Sequence, residues 1–267
     1  MLDARSLIGE LDVVLITLDT LRYDVAERAM LEGRTPGFRS LLPGGRWERR
    51  HSSGSFTYAA HHAFFAGFLP TPTVPGTHPR LFASRFEGSE TTTPQTAIFE
   101  EADIVSGLAG RGYRTICVGG VGFFNRINPL GSVLPDLFHE AHWSPALGVT
   151  DPHSTRNQVD VAVSRLAQLP QGRRAFLFLN VSALHQPNCI FSTGANEDSP
   201  HTQADALAYV DGHLPPLFEA LRRRGGALCV VTSDHGTAYG EDGYYGHRLG
   251  HSTVWDVPYA EFILTEA

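Results

Sequence analysis

Cysteine is scarce in this chain of 267 residues. Cys117, Cys189 and Cys229 are the only three, and their spacing suits neither a zinc site nor a disulfide framework. Cys117 and Cys229 lie within apolar runs, which reads as buried, unreactive thiols. No apolar run is long enough to cross a bilayer, and the opening MLDARSLIGELDVVLITLD lacks a basic stretch followed by a cleavable apolar one. The expectation is a cytoplasmic protein with no membrane partner. Positive charge is not in excess either. With 21 Lys and Arg against 28 Asp and Glu, the net charge of −7 removes the electrostatic reason to expect a nucleic-acid partner. There is no G-x-S-x-G element, which excludes a triad hydrolase of the usual α/β type. Internal repeats and interdomain linkers are absent too.

What is present is an ordinary packed composition, 42% apolar and 18% charged, with 13 histidines in partial clusters. DVVLITLD (12–19) is a continuous apolar run rich in β-branched residues, as expected of a strand buried on both faces. YRTICVGG, AFLFLNV, ALCVVTS and YAEFIL, starting at Tyr113, Ala175, Ala227 and Tyr259, read the same way. Helical patterns lie between them: TAIFEEADIVSGLAGRG, RNQVDVAVSRLAQLP and ADALAYVDGHLPPLFEALRRRGG. Pro215 and Pro216 start a new helix or kink an old one, and the Arg222–Arg224 run suits a solvated helix C-terminus. Strands alternating with helices predict a three-layer α/β/α sandwich with a mostly parallel central sheet, as one domain over 1–267. Two stretches, 69–93 and 185–203, are rich in Pro, Ser, Thr and Gly and read as long loops near an active site.

In an open α/β sheet, ligands bind beyond the carboxyl ends of the strands. The first strand ends at Asp19, the third runs through Asn180 toward His185, and the fourth ends at Asp234 and His235. Acids and imidazoles converging there suit a divalent ion, with mixed ligation favouring Zn²⁺ or Mn²⁺ over Ca²⁺ or Mg²⁺. Taken singly, each has a plainer reading: Asp19 as a helix cap, His185 as a loop histidine, SDHG as a strand-to-turn sequence. The set points to a metal. SSGSFTYAAHHAFFAGFLP adds a helix from about Thr57 to Ala66, closed by Gly67, with Thr57 at or near its N-terminus as an N-cap or an anion-facing hydroxyl.

VVLITLDTLRYD, FTYAAHHAFFAG, FLFLNVSALHQP, AYVDGHLPPLFEAL and VVTSDHG…GEDGYYGH occur in an order that resembles the sulfatase-like branch of the alkaline phosphatase superfamily, in a small, single-domain bacterial form. RGYRTICVGG also resembles the family's GYxT strand. The resemblance implies a divalent ion held by Asp19, Thr57, Asp234 and His235, with Thr57 as nucleophile. It implies a second ion near Asn180, His185 and His251. His247 competes with His251, since its spacing to Val257 and Pro258 better fits the family's residue that touches the transferred group. One or two ions are both open, because Asn180 stands where an acid is usual. Thr20 likewise replaces a second acid. TYAAH stands where formylglycine sulfatases carry C/S-x-P-S-R, so that chemistry is disfavoured, and His61 takes the place of the element's Arg. The C-terminal subdomain of larger sulfatases and the mutases' cap are not expected.

The reading is a metal-dependent hydrolase of a small anionic ester, phosphate or else sulfate or phosphonate. Thr57 is the nucleophile, and His61, His62 or His247 meets the transferred group or the leaving group. Arg22 and Arg80 are possible anion contacts that read first as surface residues. The alternative is an accessory protein that keeps the fold and a metal but not turnover. A Rossmann-type nucleotide enzyme, suggested by VGGVGFFN, fails because its glycines do not follow the first strand in G-x-G-x-x-G register.

Overall fold

The computed structural model describes residues 2–67 and 103–266. The expected loop 69–93, Arg80 and the first part of the helical pattern at 96–112 lie outside them. In chain order the elements are β1 (Asp12–Leu18), α1 (Tyr23–Leu31), α2 (Pro36–Leu41), β2 (Glu48–His51), α3 (Thr57–Ala66), α4 (Ile104–Gly110), β3 (Arg114–Val118), α5 (Pro129–Val133) and β4 (Glu140–His142). They continue with α6 (Ser154–Ala167), β5 (Ala175–Val181), α7 (Pro200–His213), α8 (Pro215–Arg223), β6 (Ala227–Thr232), β7 (Ala238–Tyr239), β8 (Tyr245–Gly246), α9 (Ser252–Trp255) and β9 (Asp256–Leu264).

Seven strands form the main sheet in the order β2-β9-β6-β1-β5-β3-β4. The β6, β1, β5, β3 and β4 strands run parallel, while β9 and β2 are antiparallel additions at one edge. β1 shows why both faces must be covered. Val14, Ile16 and Leu18 pack on one side with α1, α6, α7 and α8, and Val13 packs on the other with Phe65 of α3 and Leu108 of α4. β5 repeats the alternation, with Leu177, Leu179 and Val181 on the first side and Phe176 and Phe178 on the second. Each strand therefore reads as apolar throughout, because period 2 separates two buried sets. This is the expected α/β/α arrangement.

Several boundaries differ from the sequence reading. β2 is ERRH, exposed along its whole length, so no apolar alternation marks it. The loop expected over 185–203 ends at Ser199, whose side chain and that of Thr202 form a reciprocal cap at the start of α7. Pro215 and Pro216 do begin a new helix. The arginine run is not simply solvated. Arg224 Nε lies 2.7 Å from Asp12 Oδ2, and the Asp12 carboxylate, fully buried, also accepts from Ala175 N–H at 2.8 Å. Arg224→Ala strands that carboxylate. Because Arg224 keeps 17% exposure, the expected loss in a denaturant melt is about 3 kcal/mol, at the low end for a broken buried pair. Asp12→Ala added to it should recover part of the loss.

Candidate metal and nucleophile site

The register of the parallel strands sets up the site. Thr17 of β1 pairs with Asn180 of β5 and with Thr232 of β6. Two residues past that level, β1 delivers Asp19 and β6 delivers Asp234 with His235, all on the carboxyl edge and all buried. Ligand atoms of Asp19, Asp234 and His235 lie within 4.8 Å of one another. Thr57 starts α3 beside them, with Oγ1 3.3 Å from His235 Nε2. Phe56, not Thr57, is the N-cap residue, so the Thr57 hydroxyl is not used for capping.

Each carboxylate has one oxygen held and one left over. Asp234 Oδ1 accepts the N–H groups of Thr20 (3.2 Å) and His235 (3.0 Å), while the buried Oδ2 has no hydrogen-bond partner. Asp19 Oδ2 accepts from Asn180 Nδ2 at 3.0 Å, and its buried Oδ1 is likewise unpartnered. Burial, and then the charge of Asp234, push Asp19 up to about 6. Burial pushes Asp234 up to about 7. Two buried acids with free oxygens are costly unless a cation or a proton meets them.

The histidine tautomers complete the donor set. His235 Nδ1–H donates to Gly236 O at 2.8 Å, which leaves the Nε2 lone pair facing Thr57 and Asp234. His185 Nδ1–H donates to Gln186 O at 2.7 Å and leaves its own Nε2 available in the same way. Fixing one ring nitrogen on a carbonyl is the usual support for an imidazole ligand. Two close approaches hold this backbone. A Cβ on Gly236 would meet Thr253 O at 2.0 Å, and one on Gly54 would meet Ala60 N at 2.6 Å in the helix that carries Thr57.

The other candidates are sorted by what they touch. His247 reaches the cluster: its ring centroid is 4.6 Å from that of His235 and 6.0 Å from that of His185, and its buried Nδ1 is unpartnered. Burial, then the neighbouring His235 and His185, hold it down to about 4. His251 is engaged elsewhere. Its Nδ1 caps α9 by accepting Thr253 N–H, and its Nε2 lies 3.0 Å from Asp242 Oδ2. Of the two loop histidines left open by the sequence, His251 is thus engaged with Asp242 and Thr253, and His247 is the one whose ring lies against His235.

His61 lies beneath the start of the Thr57 helix. It is fully buried, with Nδ1–H donating to Thr57 O at 2.7 Å and Nε2 accepting from Thr17 Oγ1–H at 3.1 Å. The rings of Phe64, Phe65, Phe124 and Phe178 surround it, and burial keeps it neutral, down to about 3. Both nitrogens are hydrogen-bonded, and Nδ1, which holds the Thr57 carbonyl, also lies 3.7 Å from Asp234 Oδ2. His62, the adjacent candidate, lies edge-on to Tyr58 at 4.5 Å.

Asn180 has a role that an acid could not fill. Its amide donates to Asp19 Oδ2 and to Thr17 Oγ1, and its Oδ1 accepts the N–H groups of Gly120 and Val121. An Asp there would repel Asp19 instead of holding it. Thr20 is turned away from the cluster in a left-handed conformation, φ +64°, with its hydroxyl on Leu184 O and its carbonyl accepting from Gln203 Nε2. Arg22 is neither a surface residue nor an anion contact. It is 4% exposed and ion-paired with Asp24 and Glu241, so it ties the β7–β8 hairpin to the turn after β1.

Arg248 was not among the residues singled out from the sequence. It follows His247, its N–H donates to Ser55 O at 2.8 Å, and its guanidinium lies 5.7 Å over the Phe56 ring. The adjacent His-Arg pair, following a strand that ends in SDHG, was the signal available.

The donor set fits a divalent ion: unpartnered oxygens on Asp19 and Asp234, an imidazole lone pair on His235, and a hydroxyl on Thr57. His185 and His247 supply further nitrogens at the partly exposed side. No helix among the described residues is long and apolar enough to cross a membrane.

No family model and no curated protein matches this chain. Solved structures do. The soluble domain of lipooligosaccharide phosphoethanolamine transferase A from Neisseria meningitidis superposes with a TM-score of 0.65 at 15% identity, over 96% of this chain and 77% of that one. The zinc complex of the C-terminal periplasmic domain of EcEptC from Escherichia coli gives 0.66 at 10%, over 96% and 73%. An alkaline phosphatase superfamily protein from Vibrio parahaemolyticus gives 0.58 at 18%, over 96% and 60%. The fold is that of the alkaline phosphatase superfamily.

Proposed function

We propose, taking the alkaline phosphatase superfamily fold as the premise, that this chain is a divalent-metal-dependent hydrolase of phosphate esters with Thr57 as nucleophile. The observation that carries the reading is the meeting of two unpartnered buried carboxylate oxygens and the His235 lone pair beside the Thr57 hydroxyl. The site would be held by Asp19, Asp234, His235 and Thr57, with zinc or manganese suiting the mixed set and His185 and His247 placed for a second ion or for substrate. A bound cation supplies the positive charge that lets a hydroxyl ionise near neutral pH.

The chain's own groups then account for the steps. Asn180 and the Thr20 N–H fix the two carboxylates, and His61 holds the Thr57 carbonyl, so that Oγ1 keeps its direction. Oγ1 gives up its proton to solvent and attacks phosphorus, the bond from phosphorus to the ester oxygen breaks, and the leaving oxygen takes a proton from solvent at the His185 and His247 side. Water then attacks the phosphothreonine, Oγ1 leaves, and inorganic phosphate is released. The His247 imidazole is neutral at pH 7, which suits a ligand or hydrogen-bonding role better than that of a proton source.

The test uses purified protein loaded with zinc or manganese and a panel of nitrophenyl phosphate, phosphate diester, phosphonate and sulfate substrates. The expected result is metal-dependent release of nitrophenol from a phosphate ester, abolished by chelator and restored by metal. Phosphate passed to an added alcohol in place of water would make the chain a transferase. Bound metal with no turnover on any ester would favour the accessory-protein reading.

A further inference from the structure

Arg248 is a cation set against Phe56, the residue before Thr57, with no ion-pair partner among the described residues. It is exposed and stands apart from Arg22, whose charge is answered by Asp24 and Glu241. Its position is nonetheless fixed. The backbone N–H is bonded to Ser55 O, two residues before Thr57, and the guanidinium rests on the ring of Phe56, the residue next to Thr57. Phe56 is itself packed against Phe123, with centroids 6.5 Å apart. The Arg248 backbone adopts φ +71°, a left-handed conformation unfavourable for a residue with a Cβ. Such positions cluster where the surrounding structure dictates them, often at ligand sites. Here the surrounding structure is the N-terminal end of the helix that carries Thr57.

We infer that Arg248 is a substrate-binding residue that donates to an outward, non-bridging oxygen of the phosphoryl group attacked by Thr57. This rests on the proposed function and goes beyond it by assigning a specificity role. A phosphoryl group at Oγ1 would turn part of its charge toward the cation site formed by Asp19, Asp234 and His235 and part toward the open side. The cation that the buried acids and imidazoles would hold answers the first part, and among the described residues Arg248 is an unpaired cation next to the start of the Thr57 helix on the second. A planar guanidinium with several donors suits phosphate oxygens, and the Phe56 ring holds its plane in place. A monoester dianion gains more from that cation than a diester monoanion does, so Arg248 tilts the site toward monoesters.

The experiment titrates inorganic phosphate into the zinc-loaded protein by calorimetry, for the unaltered chain, Arg248→Ala and Arg248→Lys. Losing one charge-assisted contact should weaken phosphate binding about 10- to 100-fold in Arg248→Ala. Arg248→Lys should recover part of it, with zinc content and melting temperature unchanged in both. With nitrophenyl phosphate, KM should rise with the phosphate dissociation constant, and bis(nitrophenyl) phosphate should be affected less. Equal phosphate affinity in Arg248→Ala and the unaltered chain overturns the inference and leaves the metal-hydrolase reading standing. A loss accompanied by lowered zinc content or melting temperature assigns Arg248 a structural role and overturns it as well. If the unaltered zinc-loaded chain binds no phosphate, the underlying reading falls with it.

Discussion

Thr57→Ala is expected to lower turnover of the responsive phosphate ester by about 10³-fold or more while leaving metal content and folding intact. Removing the attacking atom from a covalent mechanism costs that much even when binding and electrostatics survive. Structural loss is a poor competing explanation here. The Thr57 side chain does not cap α3, and the backbone carbonyl that His61 grips is present in alanine too. Three of the four donors to the ion, Asp19, Asp234 and His235, also remain. Thr57→Ser keeps the hydroxyl and should retain most of the rate. Quenched-flow trapping of phosphothreonine in the unaltered chain checks the covalent step directly. Turnover unchanged in Thr57→Ala would falsify the nucleophile assignment.

Asp234→Asn should empty the site. The asparagine side-chain oxygen still accepts the Thr20 and His235 N–H groups, so the local turn survives, but the charge and the oxygen aimed at His235 are lost. Metal content by mass spectrometry is expected to fall from near stoichiometric to below about a tenth, since even supporting residues of a metal site are worth 10- to 100-fold in affinity. The sign of the pH effect follows from burial. Both Asp19 and Asp234 have folded-state pKa values raised above the ordinary 3.8 of an aspartate, to about 6 and about 7. Without metal, their contribution to stability is fully present below about 4 and is lost as pH rises through 6 to 7. A cation reverses this by matching the ionised form. The melting-temperature gain from zinc should therefore be larger at pH 8 than at pH 5 in the unaltered chain, and small at both in Asp234→Asn.

The sheet and its functional edge were legible because β1, β5 and β6 are apolar runs that stop at polar groups. Asp19 and Asp234 end up level through strand register, which a parallel reading of those runs already implies. The start of α3 at Thr57 was legible from the small, apolar helix and its closing glycine, and Gly67 does take a left-handed conformation, φ +73°. What could not be read was where side chains point after a strand ends. His247 and His251 stand four residues apart in one loop, and only the folded hairpin shows that Asp242 and Thr253 occupy the second. The hydrogen bonds of His61 were not legible because α3 is apolar around much of its circumference, so no polar face shows which way an imidazole on it points. Asn180 looked like a weakened ligand, yet its amide hydrogens hold Asp19 in a way that spacing along the chain does not show.

Thr20 puts one last constraint on this molecule. A β-branched residue in the left-handed region is about 1–2 kcal/mol less favourable than in ordinary backbone. It is kept there by the same Asp234 oxygen that orients the metal-facing one. Glycine there would remove that backbone cost and keep the N–H on Asp234, but it would leave the buried Leu184 carbonyl without the Thr20 hydroxyl. Anyone engineering this chain for robustness should expect the relaxed backbone and the lost buried hydrogen bond to offset each other at that residue.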